Sequence, residues 1–262
     1  MRNRLISILL VLLLTTASIP VYPQNRASLY REPIELKLDR ATWRNFREYR
    51  RQRPREHFGI EGFYPIGWSK DGKFAYYLEP VDEACDCYFA KLFILDLKTD
   101  KVLWSFDYNS EFIDDAKKEG RPVTLRTLWR ANQKLFSEKL REHGIVQQRK
   151  FALLSSPITY RGDRITSRLN TREKAGLTEE ERWYGTIDRV TLQLNSRRYG
   201  TKSVMDHSYS ELRPLYVGLV GYVKSPHEPR IAMVLLEVIR GYEGPPHTAR
   251  IRIVGGSLDS GW

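Results

Sequence analysis

The sequence predicts a mainly β chain, built of antiparallel meanders with one helical insertion. Three observations predict it. Short runs rich in aromatic and β-branched residues, each closed by turn residues, recur from Phe58 to the C-terminal end. Helical spacing of apolar residues is confined to Arg40 to Arg55 and Asn109 to Gly144. The 262 residues, 41% of them hydrophobic and 12% aromatic, suffice to bury one large core or two small ones, which excludes a disordered chain. With 29% charged residues and a single long apolar run, a multi-span membrane protein is excluded as well.

That apolar run opens the chain. Arg2 and Arg4 precede Leu5 to Leu14, LISILLVLLL, polar only at Ser7. A membrane-spanning helix needs roughly 20 apolar residues, and here Pro20 and Pro23 interrupt the pattern soon after it starts. Residues 1–23 are therefore expected to be a signal peptide, with Thr15 and Ala17 as small residues for cleavage and no transmembrane segment once it is removed. Neither cysteine lies near the run, which argues against a lipid anchor. The expected destination is the periplasm or the exterior, an oxidising compartment.

Residues 24–57 form a basic N-terminal segment. From Arg40 to Arg55, Arg40, Arg44, Arg47, Arg50, Arg51, Arg53 and Arg55 face one acid, Glu48, so those sixteen residues carry +6 of the chain's formal +11. Asp39 is expected to cap a helix starting at Arg40, and Trp43, Phe46 and Tyr49 recur every third residue until Pro54 stops it. Two readings follow. The aromatics pack the helix onto the body while the arginines are solvated, or Arg44, Arg47, Arg50 and Arg51 dock an anionic partner, since guanidinium pairs bidentately with phosphate and carboxylate. Export disfavours nucleic acid as that partner. An anionic envelope glycan, a lipid headgroup or an acidic protein remains.

The body, 58–262, begins with strands at Lys73 to Leu78, Tyr88 to Leu97 and Val102 to Phe106; Ser69 to Gly72 forms a tight turn and Lys98 to Lys101 a hairpin link. The insertion at 109–144 reads as two helices: one capped by Asn109 or Ser110 and stopped by Gly120, the other presenting Leu125, Leu128, Trp129, Leu135, Phe136 and Leu140 on one face. Asn170 to Arg182 reads as an exposed loop or short helix. Ile187 to Leu194 is a strand that turns at Asn195 to Arg198 into a partner. Leu215 to Val223, Ile231 to Ile239 and Ala249 to Val254 are three apolar strands.

Two of these units echo each other. Gly67-Trp68, a turn, and Lys73-Phe74-Ala75 match Gly221-Tyr222, a turn, and Arg230-Ile231-Ala232. The stretch Gly67-Trp68-Ser69-Lys70-Asp71-Gly72-Lys73-Phe74-Ala75-Tyr76, with Leu92 to Leu97 and Asp100-Lys101 after it, resembles a blade of the TolB-like β-propellers of bacterial periplasmic proteins, with Lys70 where that family usually has proline. The chain as a whole resembles a group of predicted secreted bacterial proteins with the same opening blade. The resemblance implies a small or incomplete β-propeller-like array whose role is binding, with no catalytic set attached to the motif. Without the insertion the body has room for about four blades.

Candidate chemistry is sparse. Cys85 and Cys87 are the only cysteines, so export suggests a local disulfide, which at this spacing needs a bulge or turn. The acids Glu79, Asp82, Glu83 and Asp86 around them disfavour a reactive thiolate. None of the five histidines has metal-site or triad spacing, so no metal, cofactor or catalytic residue is assigned. Gly241 to His247 (GYEGPPH) is expected to hold Tyr242, Glu243 and His247 at a loop tip suited to binding. The sequence thus points to an exported binding or scaffold module rather than an enzyme. The alternatives are a hydrolase of envelope polymers, using Glu79 and Asp82 or Glu243 and His247, and a thiol-redox protein using Cys85 and Cys87.

Overall fold

The computed structural model describes residues 29–262, so the expected leader at 1–23 lies outside the described residues. In chain order the elements are α1 (Asp39–Asn45), α2 (Arg47–Gln52), β1 (Phe58–Ile60), β2 (Gly62–Trp68), β3 (Lys73–Glu79), β4 (Cys87–Asp96) and β5 (Lys101–Phe112). Then follow α3 (Ile113–Lys118), α4 (Leu125–Glu142), β6 (Val146–Gln147), β7 (Ile158–Tyr160), β8 (Asp163–Glu173) and α5 (Glu179–Trp183). Last come β9 (Ile187–Ser196), β10 (Gly200–Ser208), β11 (Tyr216–Lys224), β12 (Arg230–Ile239) and β13 (His247–Ser257). Strand at 45% against 18% helix makes the fold mainly β, and its sheets are antiparallel meanders.

There are three sheets, in strand order β5-β4-β3-β2-β6, β10-β9-β8-β7 and β1-β13-β12-β11, all pairs antiparallel except β1, which joins β13 in parallel. The last is the middle layer. Ala232, Val234, Leu236 and Val238 on one side of β12 meet Phe74, Tyr76 and Leu95 of the first sheet, while Ile231, Met233 and Leu235 on the other meet Ile165, Val190 and Leu192 of the second. A strand buried on both faces needs no polar alternation, which is why Ile231 to Ile239 reads as a nearly unbroken apolar run. The outer face of the first sheet, with Ala75, Tyr77, Leu92 and Ile94, is covered by Leu128, Trp129, Phe136 and Leu140 of α4. A capping box between Thr124 and Thr127 starts that helix.

The two matching hairpins share more than sequence. Each carries a register shift just before its glycine, between Pro65 and Gly67 and between Leu219 and Gly221. In each, a Cβ on the glycine would collide with an incoming backbone, that of Val146 at Gly67 and of Leu154 at Gly221. These glycines let a following segment lie against the hairpin, as β6 pairing at Gly67 and as the Leu154–Tyr222 bridge. The stretch that resembles a propeller blade spans the end of β2, all of β3 and β4, and the start of β5.

Several boundaries differ from the sequence expectation. The basic helix is broken in two at Phe46, and α1 begins at Asp39 with Leu38 as N-cap instead of being capped by Asp39. The segment before residue 58 is part of the body, since Leu38, Phe46 and Tyr49 are buried in the core shared by the first and third sheets. Asn109 and Ser110 do not cap a helix. They belong to β5, held there because β4 pairs along it as far as Cys87↔Phe112 and the Ser110 hydroxyl accepts the Tyr88 N–H at 2.9 Å. The helical insertion therefore starts at Ile113. Leu135 points outward at 37% exposure. Asn170 to Glu173 completes β8, and only α5 is the expected short helix.

Candidate functional site

The arginine segment owes its rigidity to what lies beneath it. Gly218 on β11 has no side chain, and the Phe46 ring occupies the place a Cβ would take. Phe46 also packs on Tyr216 and Phe58, with ring centroids 5.0 and 5.6 Å away, and Tyr49 on the same two at 5.3 and 5.6 Å. Asn45 Nδ2 donates to the Val220 carbonyl at 3.1 Å. At Phe46 the backbone leaves the helical region, with φ −98° and ψ 19°, and the helix is interrupted there while both Phe46 and Tyr49 stay buried.

Glu56 locks the far end. It accepts from Tyr49 Oη at 3.0 Å and Arg53 Nη1 at 2.9 Å, and His247 Nε2 lies 3.3 Å away. Burial opposes its ionisation, but Arg53, Tyr49 and His247 outweigh that and hold its carboxyl below the ordinary range. Burial in turn pushes the His247 pKa down, with Glu56 pulling the other way.

With these anchors inside, the four candidate arginines all stand exposed. Arg51 pairs with Glu48 at 2.6 Å, and Arg50 lies over the half-exposed Trp43 at 4.9 Å. Arg44 and Arg47 make no ion pair among the described residues. Three clefts adjoin the segment. One of about 430 Å³ is lined by Arg47, Arg50, Arg51, Arg53 and Trp43. Two of about 330 and 380 Å³ lie on the Arg44 side, and Arg44 lines both. The structure thus divides the four arginines between two grooves.

The other candidates lie elsewhere. Tyr242, 82% exposed, and Glu243 do stand at a loop tip, but His247 does not: it is the first residue of β13, buried, with Nδ1 accepting from the Gly241 N–H at 3.3 Å. Sequence spacing placed it at the tip because its pairing with β1, Phe58↔His247, is remote in the chain. Cys85 and Cys87 are bonded to each other, with Cα atoms 5.2 Å apart. The turn between them is shaped by Asp82, whose carboxylate accepts the N–H groups of Ala84, Cys85 and Cys87 at 3.3, 3.1 and 3.1 Å. Glu83 joins this turn to the tip, accepting from the Tyr242 N–H at 3.2 Å and Thr248 Oγ1 at 2.6 Å. Glu79 holds the hydroxyls of Tyr64 and Tyr88, so Glu79 and Asp82 serve separate networks and share no bonding partner.

The sequence reading missed a further cleft of about 530 Å³ between the first and third sheets, lined by Glu61, Asp100, Glu237, Arg250 and Arg252 among others. Glu237 is the only charged residue from Ile231 to Ile239, and a carboxylate inside such a run is the signal that pointed there. It accepts from Arg252 Nε and from Tyr209 Oη at 2.5 Å. Glu61 and Asp100 accept the N–H groups of Ile251 and Gly255 at 2.8 and 2.7 Å along the β13 edge that β1 leaves uncovered. Desolvation pushes the Asp100 carboxyl up to about 6. It also raises that of Glu61, against the Ile251 hydrogen bond.

A raised carboxyl pKa means that the folded state holds the proton more tightly than the unfolded chain. The stability tied to Glu61 is thus complete below the ordinary carboxylate range and lost as pH rises through the raised value. Glu61→Gln keeps an oxygen for the Ile251 N–H but does not titrate. Its stability relative to wild type should increase between about pH 4 and about pH 8 in urea denaturation, and a difference independent of pH would refute this.

Among the described residues no group of three or more His, Cys, Asp or Glu side chains is placed to hold a metal ion, and no helix is long and apolar enough to cross a membrane. No family model matches the chain, and no curated protein or solved structure shows significant similarity to it.

Proposed function

We propose that the protein is an exported binding module that holds an anionic component of the cell envelope against the arginine face of α1 and α2. One observation carries this reading: the arginines that line the grooves stand in solvent while Phe46 and Tyr49 between them are buried in the core. Positive charge on a preorganised surface loses little entropy when it meets an anion. The leader pattern at 1–23 supports export, and the blade-like stretch supports a binding role. The hydrolase alternative loses support because Glu79 and Asp82 hold separate networks and His247 is buried away from Glu243.

The test is binding to dextran sulfate and to phosphatidylglycerol vesicles. Changing Arg44, Arg47, Arg50 and Arg51 together to glutamine should weaken binding at least about tenfold without moving the melting temperature, because these side chains carry exposed charge and no core packing. Raising salt from about 0.1 to about 1 M should do the same to wild type, as the Debye length shrinks from about 10 to about 3 Å. No salt-sensitive binding to either probe would overturn the proposal.

A further inference from the structure

The two grooves flanking α1 and α2 differ in chemistry. Beside Arg47 and Arg50 the groove is lined by Trp43, Pro54 and Phe58 as well as the arginines, and it includes the carboxylate of Glu56. On the Arg44 side, the two clefts of about 330 and 380 Å³ share Arg44, Ser155 and Val220, so they meet around one short stretch of chain. Among the described residues no acid lines either of them. Arg40 and Arg44 supply positive charge, Lys37 is paired with Glu35, and Ser155, Ser156 and Ser167 supply hydroxyls. The remaining lining is largely hydrocarbon, from Leu153, Leu154 and Leu219 at the surface to buried Ile158 and Met233.

The pieces are held in place. Leu154 is bridged to Tyr222 by backbone hydrogen bonds of 2.9 and 2.8 Å in the two directions, which fixes the stretch between the clefts. Ser156 Oγ accepts the Ser167 N–H at 3.2 Å, leaving its own proton free to donate. Asn45, next to Arg44, is tied to the Val220 carbonyl. A guanidinium beside donor hydroxyls, with no carboxylate among the lining residues and an apolar floor continuing from it, matches a ligand with an anionic head and a hydrocarbon tail.

We propose that the Arg44 clefts bind one anionic amphiphile, its phosphate or carboxylate head on Arg44 and the serines and its alkyl chain along Leu153, Leu154 and Leu219. This rests on the arginine-face reading and narrows it: the envelope component is a lipid, recognised one molecule at a time. The Arg47 and Arg50 groove adds only attraction to negative charge.

Calorimetry with three soluble probes below their micelle concentrations tests it: dodecyl phosphate, ethyl phosphate for the head alone, and dodecyl maltoside for a tail with an uncharged head. Dodecyl phosphate should bind at least about tenfold more tightly than ethyl phosphate, since burying two methylenes already accounts for about that gain, and at least about tenfold more tightly than dodecyl maltoside, whose uncharged head gives Arg44 no anion to pair with. Arg44→Gln should remove the advantage over dodecyl maltoside, and Leu154→Gln the advantage over ethyl phosphate. Changing Arg47, Arg50 and Arg51 together to glutamine should leave dodecyl phosphate affinity within about twofold while weakening dextran sulfate. Dodecyl phosphate binding no better than ethyl phosphate, or losing as much to the Arg47, Arg50 and Arg51 changes as to Arg44→Gln, would overturn the amphiphile site and leave the arginine face standing on dextran sulfate. Loss of all salt-sensitive binding, dextran sulfate included, would remove both.

Discussion

Phe46→Ala is expected to lower the unfolding free energy by about 3–5 kcal/mol, the range for emptying a buried aromatic site. The ring is fully buried and lies against Gly218, Phe58 and Tyr216, so its loss leaves a hole that neither the helix junction nor the sheet can close without moving. The converse change, Gly218→Ala, should cost about 1–3 kcal/mol by driving a Cβ into the same ring. Urea denaturation measures both. The comparison with the four-arginine variant is informative: Phe46→Ala should lose stability and anion binding together, while the arginine changes lose only binding. A cost below about 1 kcal/mol for Phe46→Ala would mean that the helix pair is not seated as described.

The second large effect belongs to Glu237. Removing it by Glu237→Ala should cost about 2–3 kcal/mol, since Arg252 loses its partner and the Tyr209 hydroxyl its acceptor in the wall of the cleft. Arg252 keeps a third of its side chain in solvent, so Arg252→Ala should cost less. The two losses should not add. Replacing both partners with apolar residues of similar size, Glu237→Met with Arg252→Leu, should recover much of the loss, because a buried ion pair gives little net stability over good packing. A double-mutant cycle in urea shows this as a coupling energy of at least about 1 kcal/mol; strict additivity would contradict the direct contact.

How much was legible in the sequence follows from the range of the interactions. Strands such as β3, β4 and β12 were readable because their composition and turns are local. The aromatic stripe was readable too, but the seat of Phe46 was not, because the ring packs where Gly218, far along the chain, has no side chain. Asn109 and Ser110 carry good helix caps, and the β4 ladder overrode them. His247 looked like a loop residue for want of its parallel partner Phe58. The cleft with Glu61 and Asp100 was hidden for the same reason: each carboxylate serves a backbone N–H more than a hundred residues away.

The placement of the middle sheet also governs when this protein can fold. Its strands β11 to β13 come last in the chain, yet they supply much of what covers the inner faces of both other sheets. A chain that has emerged only as far as residue 210 holds the strands of two sheets without β11 to β13. Their apolar faces lack that cover until the final fifth of the chain emerges, and closing the sheet joins Phe58 to His247, neighbours in the sheet from nearly opposite ends of the body. Such long loop closures slow folding and lengthen the time apolar surface is exposed, so the nascent chain is a natural client for chaperones during that interval.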